Sequence, residues 1–157
     1  MFDRYRYTIV REIHILTDEE TNAQVLCTAL ARDVRRDLMY CGCSDGRVVV
    51  YSGSDGEEVL SFHGHGKAVT GLEISDSCLW SCSEDGTVCT WAMTPTSDGS
   101  SFTNTLVSKS DHHGDRVLGL VNVQDRFVLS YSADAVLLVW DAAEAAPVGH
   151  FRPLSRG

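Results

Sequence analysis

With 157 residues and 17.2 kDa, the chain is about one domain long and can bury a real core. Apolar residues make up 43% and charged residues 22%, with mean hydropathy at −0.09, which excludes wholesale disorder and collagen-like structure. The 13 basic and 22 acidic side chains leave a formal charge of −9, with lysine only at Lys67 and Lys109. Arg32, Arg35 and Arg36 are offset by Asp33 and Asp37, so direct contact with nucleic acid or an anionic membrane is not expected.

The opening Met1-Phe2-Asp3-Arg4-Tyr5-Arg6-Tyr7 has no apolar signal region. The longest apolar runs, such as Val136-Leu137-Leu138-Val139-Trp140, fall far short of the ~20 residues needed to span a bilayer. A soluble, non-exported, cytoplasmic protein is expected, with a nuclear location left open. The 6 cysteines form no zinc-type C-x-x-C pair. Cys27, Cys41, Cys43, Cys82 and Cys89 sit in apolar runs, where a reduced thiol behaves as a small buried hydrophobe.

In chain order, residues 7–15 predict one strand. Thr17 to Val34 is the best helical candidate, but Thr21, Asn22, Val25, Cys27 and Thr28 make it a poor one. From Val25 onward, short runs rich in Val, Leu, Cys, Tyr and Trp alternate with Gly, Asp, Ser and Asn, the signal of an all-β chain. A first unit of four strands is read at 25–30, 38–43, 48–51 and 58–62. A second lies at 68–74, 78–83, 87–91 and 104–107, with residues 94–101 as a lengthened loop. A third lies at 117–123, 127–132, 136–140 and 148–151. Asp-Gly between the second and third strands of two units is a favoured hairpin turn. Asp3-Arg4, Asp18-Glu19-Glu20 and Asp55-Gly56-Glu57-Glu58 read as solvated turns.

The units repeat in register. Cys41 to Tyr51 aligns with Ser81 to Trp91 and with Ser130 to Trp140, placing Asp45, Asp85 and Asp134 at intervals of 40 and 49. A second block, His65 to Leu72, aligns with His113 to Leu120.

These residues resemble the WD40 repeat of β-propellers over about residues 8–151. Gly64-His65 and Trp140-Asp141 match that pattern literally, whereas Trp91-Ala92, Tyr51-Ser52 and His112-His113 are degenerate. The resemblance implies a propeller arc of about three four-stranded antiparallel blades, at 25–62, 68–107 and 117–151, within a single partial propeller domain spanning 1–157. Residues 7–15 become the outermost strand that an N-terminus donates to close a ring. It further implies a structural hydrogen-bond network within each blade. The second unit supplies His65, Ser81, Asp85 and Trp91 for it, and the third His113, Ser130, Asp134 and Trp140. The first has Thr21, Cys41, Asp45 and Tyr51 at those places, so that blade should rest mainly on packing.

His65, Ser81 and Asp85 also have the residue types of a catalytic triad. A nucleophilic serine needs exposure and an oxyanion hole, whereas Ser81 falls mid-strand and the trio recurs in the next unit. No catalytic residue is therefore assigned. His63/His65 and His112/His113 could in principle meet as metal ligands, with His14 and His150 elsewhere, but the repeat already uses His65 and His113, and neither metal nor cofactor is assigned.

Three blades are fewer than the four or more that close a ring, commonly about seven, so the sequence reads as the opening half of a propeller. Such a chain is a fragment of a longer one, completes its ring with a second copy or another chain, or stands as an open arc. The expected function is a non-catalytic scaffold binding protein or peptide partners through its loop face. Ser44, Lys67, Glu84, Asp115, Arg116 and Ala133, the variable residues beside the pattern positions, are the expected contacts. The alternatives are an architectural subunit of a larger assembly and a metal-dependent activity on the His-rich loops.

Overall fold

A computed structural model of the chain describes residues 24–75, 78–99 and 102–153. The expected strand at 7–15, Thr21 and His14 lie outside the described residues. Within them, period-2 apolar alternation produces twelve strands in three antiparallel sheets. The first sheet holds β1 (Cys27–Asp33), β2 (Leu38–Cys43), β3 (Arg47–Ser52) and β4 (Glu58–His63). The second holds β5 (Val69–Ile74), β6 (Cys78–Ser83), β7 (Val88–Pro95) and β8 (Phe102–Ser110). The third holds β9 (Val117–Val123), β10 (Phe127–Ser132), β11 (Leu137–Asp141) and β12 (Ala146–Phe151).

In each sheet the strands pair in sequence order, a meander that keeps every hydrogen-bonded neighbour local. The protein is all-β, and the stretch from Thr17 that carried a helical option contains β1 where it is described. The loop expected over 94–101 is shorter than the sequence suggested. β7 continues to Pro95 and pairs with β8 from Phe102, because Thr94 and Thr103 sustain the ladder beyond the apolar run.

The sheets stack face to face through two apolar seams. Leu38, Tyr40, Val48 and Val50 of the first sheet meet Leu72, Leu79, Trp91 and Met93 of the second. Trp80, Cys82 and Val88, on the other face of the second sheet, meet Leu120, Val128, Leu138 and Trp140 of the third. Trp80 and Trp140 are in edge contact, their ring centroids 6.1 Å apart. Burying each such aliphatic side chain contributes about 1.5–3 kcal/mol, so these seams dominate the stability of the stack.

The inner strands β1, β5 and β9 stand side by side, and a repeated polar clasp joins them. Thr28 Oγ1 on β1 donates to the Val69 carbonyl on β5, and Thr70 Oγ1 on β5 donates to the Val117 carbonyl on β9 over 2.6 Å. Leu118, at the equivalent place on β9, carries no hydroxyl and is exposed. The hairpin turn of the first sheet also presses on the loop before the second. Gly46 adopts φ of 91°, and a Cβ there would lie 2.1 Å from the His65 carbonyl oxygen, so only glycine fits.

The six cysteines are free thiols. Cys41, Cys43, Cys82 and Cys89 are buried, but Cys27 is exposed, contrary to the expectation from its apolar surroundings. Val69 and Val117 occupy the corresponding place in β5 and β9 and are fully buried. Each of those valines has a preceding sheet to pack on, and the described residues supply none for Cys27.

Candidate functional site

The second sheet brings all four repeated positions together. Trp91 Nε1 donates to Ser81 Oγ over 2.9 Å, and Ser81 Oγ lies 2.7 Å from His65 Nε2. On the other side of the ring, His65 Nδ1 lies 2.9 Å from Thr87 Oγ1, which donates to Asp85 Oδ1 over 2.5 Å. A single set of protons satisfies every link. Indole donates to serine and serine to Nε2, while Nδ1–H donates to threonine and threonine to the carboxylate. Thr87 was not among the residues singled out in the sequence, yet it carries the closer link, since Asp85 Oδ2 stands 3.5 Å from the imidazole.

Burial holds His65 below its ordinary 6.5 despite the opposing pull of Asp85. The ring is therefore neutral at pH 7, and its contact with Asp85 is not an ion pair. Burial also pushes the Asp85 carboxyl upward. The Thr87 hydroxyl and the backbone amides of Gly66 and Thr87 outweigh it, bringing the group to about 2. Through the Gly66 amide, 3.0 Å away, Asp85 ties the loop before β5 to the β6–β7 hairpin. Gly64 allows the indole to approach, because a Cβ there would lie 2.3 Å from the Trp91 ring.

In the third sheet the relay stops halfway. Trp140 Nε1 donates to Ser130 Oγ over 2.8 Å, and that hydroxyl lies 2.7 Å from His113 Nε2. Val136 stands where the second sheet has Thr87, and His113 Nδ1, though buried, has no hydrogen-bond partner. Asp134 instead accepts from the Val136 amide over 3.1 Å. The residue types that made this unit look complete do not bring its imidazole to its carboxylate. In the first sheet Cys41 replaces the serine, and Arg47 turns Asp45 to its own guanidinium, Nε to Oδ2 at 2.6 Å.

The six expected contact residues gather where the inner strands begin. The amides of Ser44, Glu84 and Ala133 donate to the carbonyls of Leu26, Ala68 and Arg116, one equivalent bond per sheet, which sets these positions along one rim. Lys67, Glu84, Asp115, Arg116 and Ala133 are exposed there, and Ser44 is half-buried, its Oγ accepting from the Leu26 amide over 2.9 Å. Lys109 Nζ, from β8, reaches the same rim and donates to the Gly64 carbonyl over 2.9 Å. The histidine pairs do not converge. His63 Nε2 faces the Asp45 carbonyl, and His112 packs edge-on against Trp140. Among the described residues no three His, Cys, Asp or Glu side chains are placed to hold a metal ion. At the opposite end a cavity of about 190 Å³ opens beside Arg32, Asp33, Arg36, Ser75 and Asp125.

Three meandering four-stranded sheets, stacked around neighbouring inner strands and two of them pinned by an indole–hydroxyl–imidazole relay, are blades of a β-propeller. The family model "WD domain, G-beta repeat" matches residues 56–92, from before β4 into β7, so the stretch that carries the complete His65–Trp91 relay is similar to a WD40 repeat. Pre-rRNA-processing protein IPI3 of Yarrowia lipolytica is 28% identical over 108 residues, covering 67% of this chain and 25% of that protein. The crystal structure of RRP9 WD40 repeats superposes with a TM-score of 0.71 at 19% identity, over 85% of this chain and 40% of that one. A chain in the crystal structure of the mitotic checkpoint complex gives 0.69 at 20% identity, over 86% and 38%. The match thus spans a quarter of the curated relative, and about two-fifths of each solved chain. At these identities the two structures establish the fold alone.

Proposed function

We propose that the chain is a non-catalytic scaffold that binds protein partners within a larger assembly through the rim at the start of its inner strands. The observation that carries this reading is the division of labour between the two groups of polar residues. Ser81 and His65 are buried and spend their bonding capacity on each other, on Trp91 and on Thr87. Lys67, Glu84, Asp115 and Arg116 stand exposed on rigid sheet ends with charges of both signs. A mixed-charge rim suits a polar peptide or protein surface, where individually weak exposed pairs give orientation and specificity. With a net charge of −9, membership of a nucleoprotein assembly would run through protein contacts.

Likeness to a pre-rRNA-processing protein supports an assembly acting on ribosomal RNA precursors, and with it a nuclear rather than cytoplasmic location. The test is affinity purification of the tagged chain beside the double variant Lys67→Glu/Glu84→Lys, with quantitative mass spectrometry of what co-purifies. Loss of a defined partner set at an unchanged melting temperature supports the reading. An identical partner set from both chains assigns binding to another surface.

A second surface belongs to the same reading. Leu129, Tyr131, Leu137 and Val139 on the outer face of the third sheet correspond to Trp80, Cys82, Val88 and Thr90 of the second. The latter four are buried beneath the third sheet, while Tyr131 is 42% exposed and the other three are half-buried. The repeat itself supplies the shape that fits such a face, another blade-type sheet presenting a tryptophan and aliphatic side chains. That makes the third sheet's flank the place where a second copy or a different chain would extend the arc.

A further inference from the structure

The first blade carries three thiols on one face. Cys27 on β1 stands directly opposite Cys43 on β2, and Cys41, two residues before Cys43, projects from the same side of the pleat. A bulge between Cys27 and Ala29 draws the end of β1 along the ladder, and the Cys27 and Cys41 thiols lie near enough to influence each other. The Cys43 thiol is turned elsewhere, 3.7 Å from the Cys41 carbonyl oxygen. Cys27 is exposed, with its thiol 3.5 Å from the Ala29 carbonyl, whereas Cys41 and Cys43 are buried.

Access and chemistry give these thiols different parts to play. Burial pushes Cys41 and Cys82 up to about 12, and Cys43 and Cys89 up to about 11. At pH 7 on the order of one in ten thousand or fewer of these four groups is a thiolate, the form that reacts. Solvent therefore reaches this cluster at Cys27, with the Cys41 sulfur close by on the neighbouring strand.

We propose that Cys27 and Cys41 are a peroxide-responsive pair that closes reversibly into a disulfide between the two innermost strands of the first blade. The Cys27 thiolate attacks hydrogen peroxide, its sulfur gaining one oxygen as the O–O bond breaks and hydroxide leaves. Cys41 sulfur then displaces the hydroxyl from the Cys27 sulfenic acid, forming the S–S bond and releasing water. In sum, two thiols and one peroxide give one disulfide and two waters, and an external dithiol reverses the change. The bridge would sit beside Leu26 and Ser44, whose paired hydrogen bonds form the first blade's part of the partner rim. Oxidation thus fixes a stretch of that rim with no completed relay behind it.

The 157-residue chain is treated with graded hydrogen peroxide, alkylated, digested without reduction and mapped by mass spectrometry. The expected result is a single Cys27–Cys41 crosslink, lost on treatment with dithiothreitol. Cys43→Ser keeps that crosslink. Cys41→Ser loses it and accumulates a Cys27 sulfenic acid trapped by dimedone, and maleimide labels Cys27 at least about tenfold faster than any buried thiol. Mapping of the untreated wild-type sequence stands by itself should Cys41→Ser fail to fold. A crosslink to Cys43, disulfide-linked dimers through Cys27 alone, or first oxidation at another cysteine overturns the proposal.

Discussion

Thr87 and Val136 occupy the same place in successive blades, are nearly the same size and differ by one hydroxyl. In the second blade that hydroxyl joins imidazole to carboxylate, and in the third its absence leaves His113 Nδ1 buried without a partner. Val136→Thr should therefore stabilise the chain by about 1 kcal/mol, the net worth of a hydrogen bond that also satisfies a buried donor. Chemical denaturation would measure this gain, and the same substitution at an exposed strand position serves as control. The two histidines also make stability depend on pH. Burial lowers both folded groups from 6.5, so the unfolded chain binds more protons just below that pH. Stability should fall as pH drops through 6.5 and continue falling until the folded imidazoles protonate. A second loss follows between about 4 and about 2, where Asp85, lowered from 3.8 to about 2, takes up its proton. Melting temperatures from pH 8 to about pH 2 should show both declines.

At the scale of a blade, the relays differ in how much depends on each histidine. Removing the His65 ring breaks two buried hydrogen bonds, to the Ser81 and Thr87 hydroxyls, and His65→Ala should cost about 1–3 kcal/mol. His113→Ala should cost less, because it breaks one such bond and removes a buried donor that has no partner. Parallel urea titrations would rank them. The relay was legible through the resemblance to the WD40 pattern, which marks Ser81, Asp85 and Trp91, and each of these recurs at a fixed place in the next unit. Thr87 escaped notice because its position reads Arg47, Thr87 and Val136 in turn, and repetition cannot mark a residue that does not repeat. The Thr28 and Thr70 clasps escaped for another reason. Their acceptors are backbone carbonyls on a different sheet, which no side-chain pattern announces. The exposure of Cys27 was likewise hidden, since its apolar neighbours say nothing about whether another sheet lies beside it.

Across the whole molecule, the apolar alternation that builds two filled seams also produces a third sheet face with no described sheet upon it. That flank should drive weak, reversible self-association. Leu137→Glu places a charge at its centre and should move the chain toward monomer, as read by light scattering across a concentration series, at little cost to the internal seams. The contact at Gly46 has a consequence of its own. Because its hairpin has no room for a side chain against the His65 carbonyl, the first two blades meet there backbone to backbone, as a pawl sits in a gear. The corresponding gap between Gly86 and the His113 carbonyl is 3.5 Å, with 3.3 Å to that of Asp115, looser by more than an ångström. By this measure the seat between the second and third blades is the looser of the two joints.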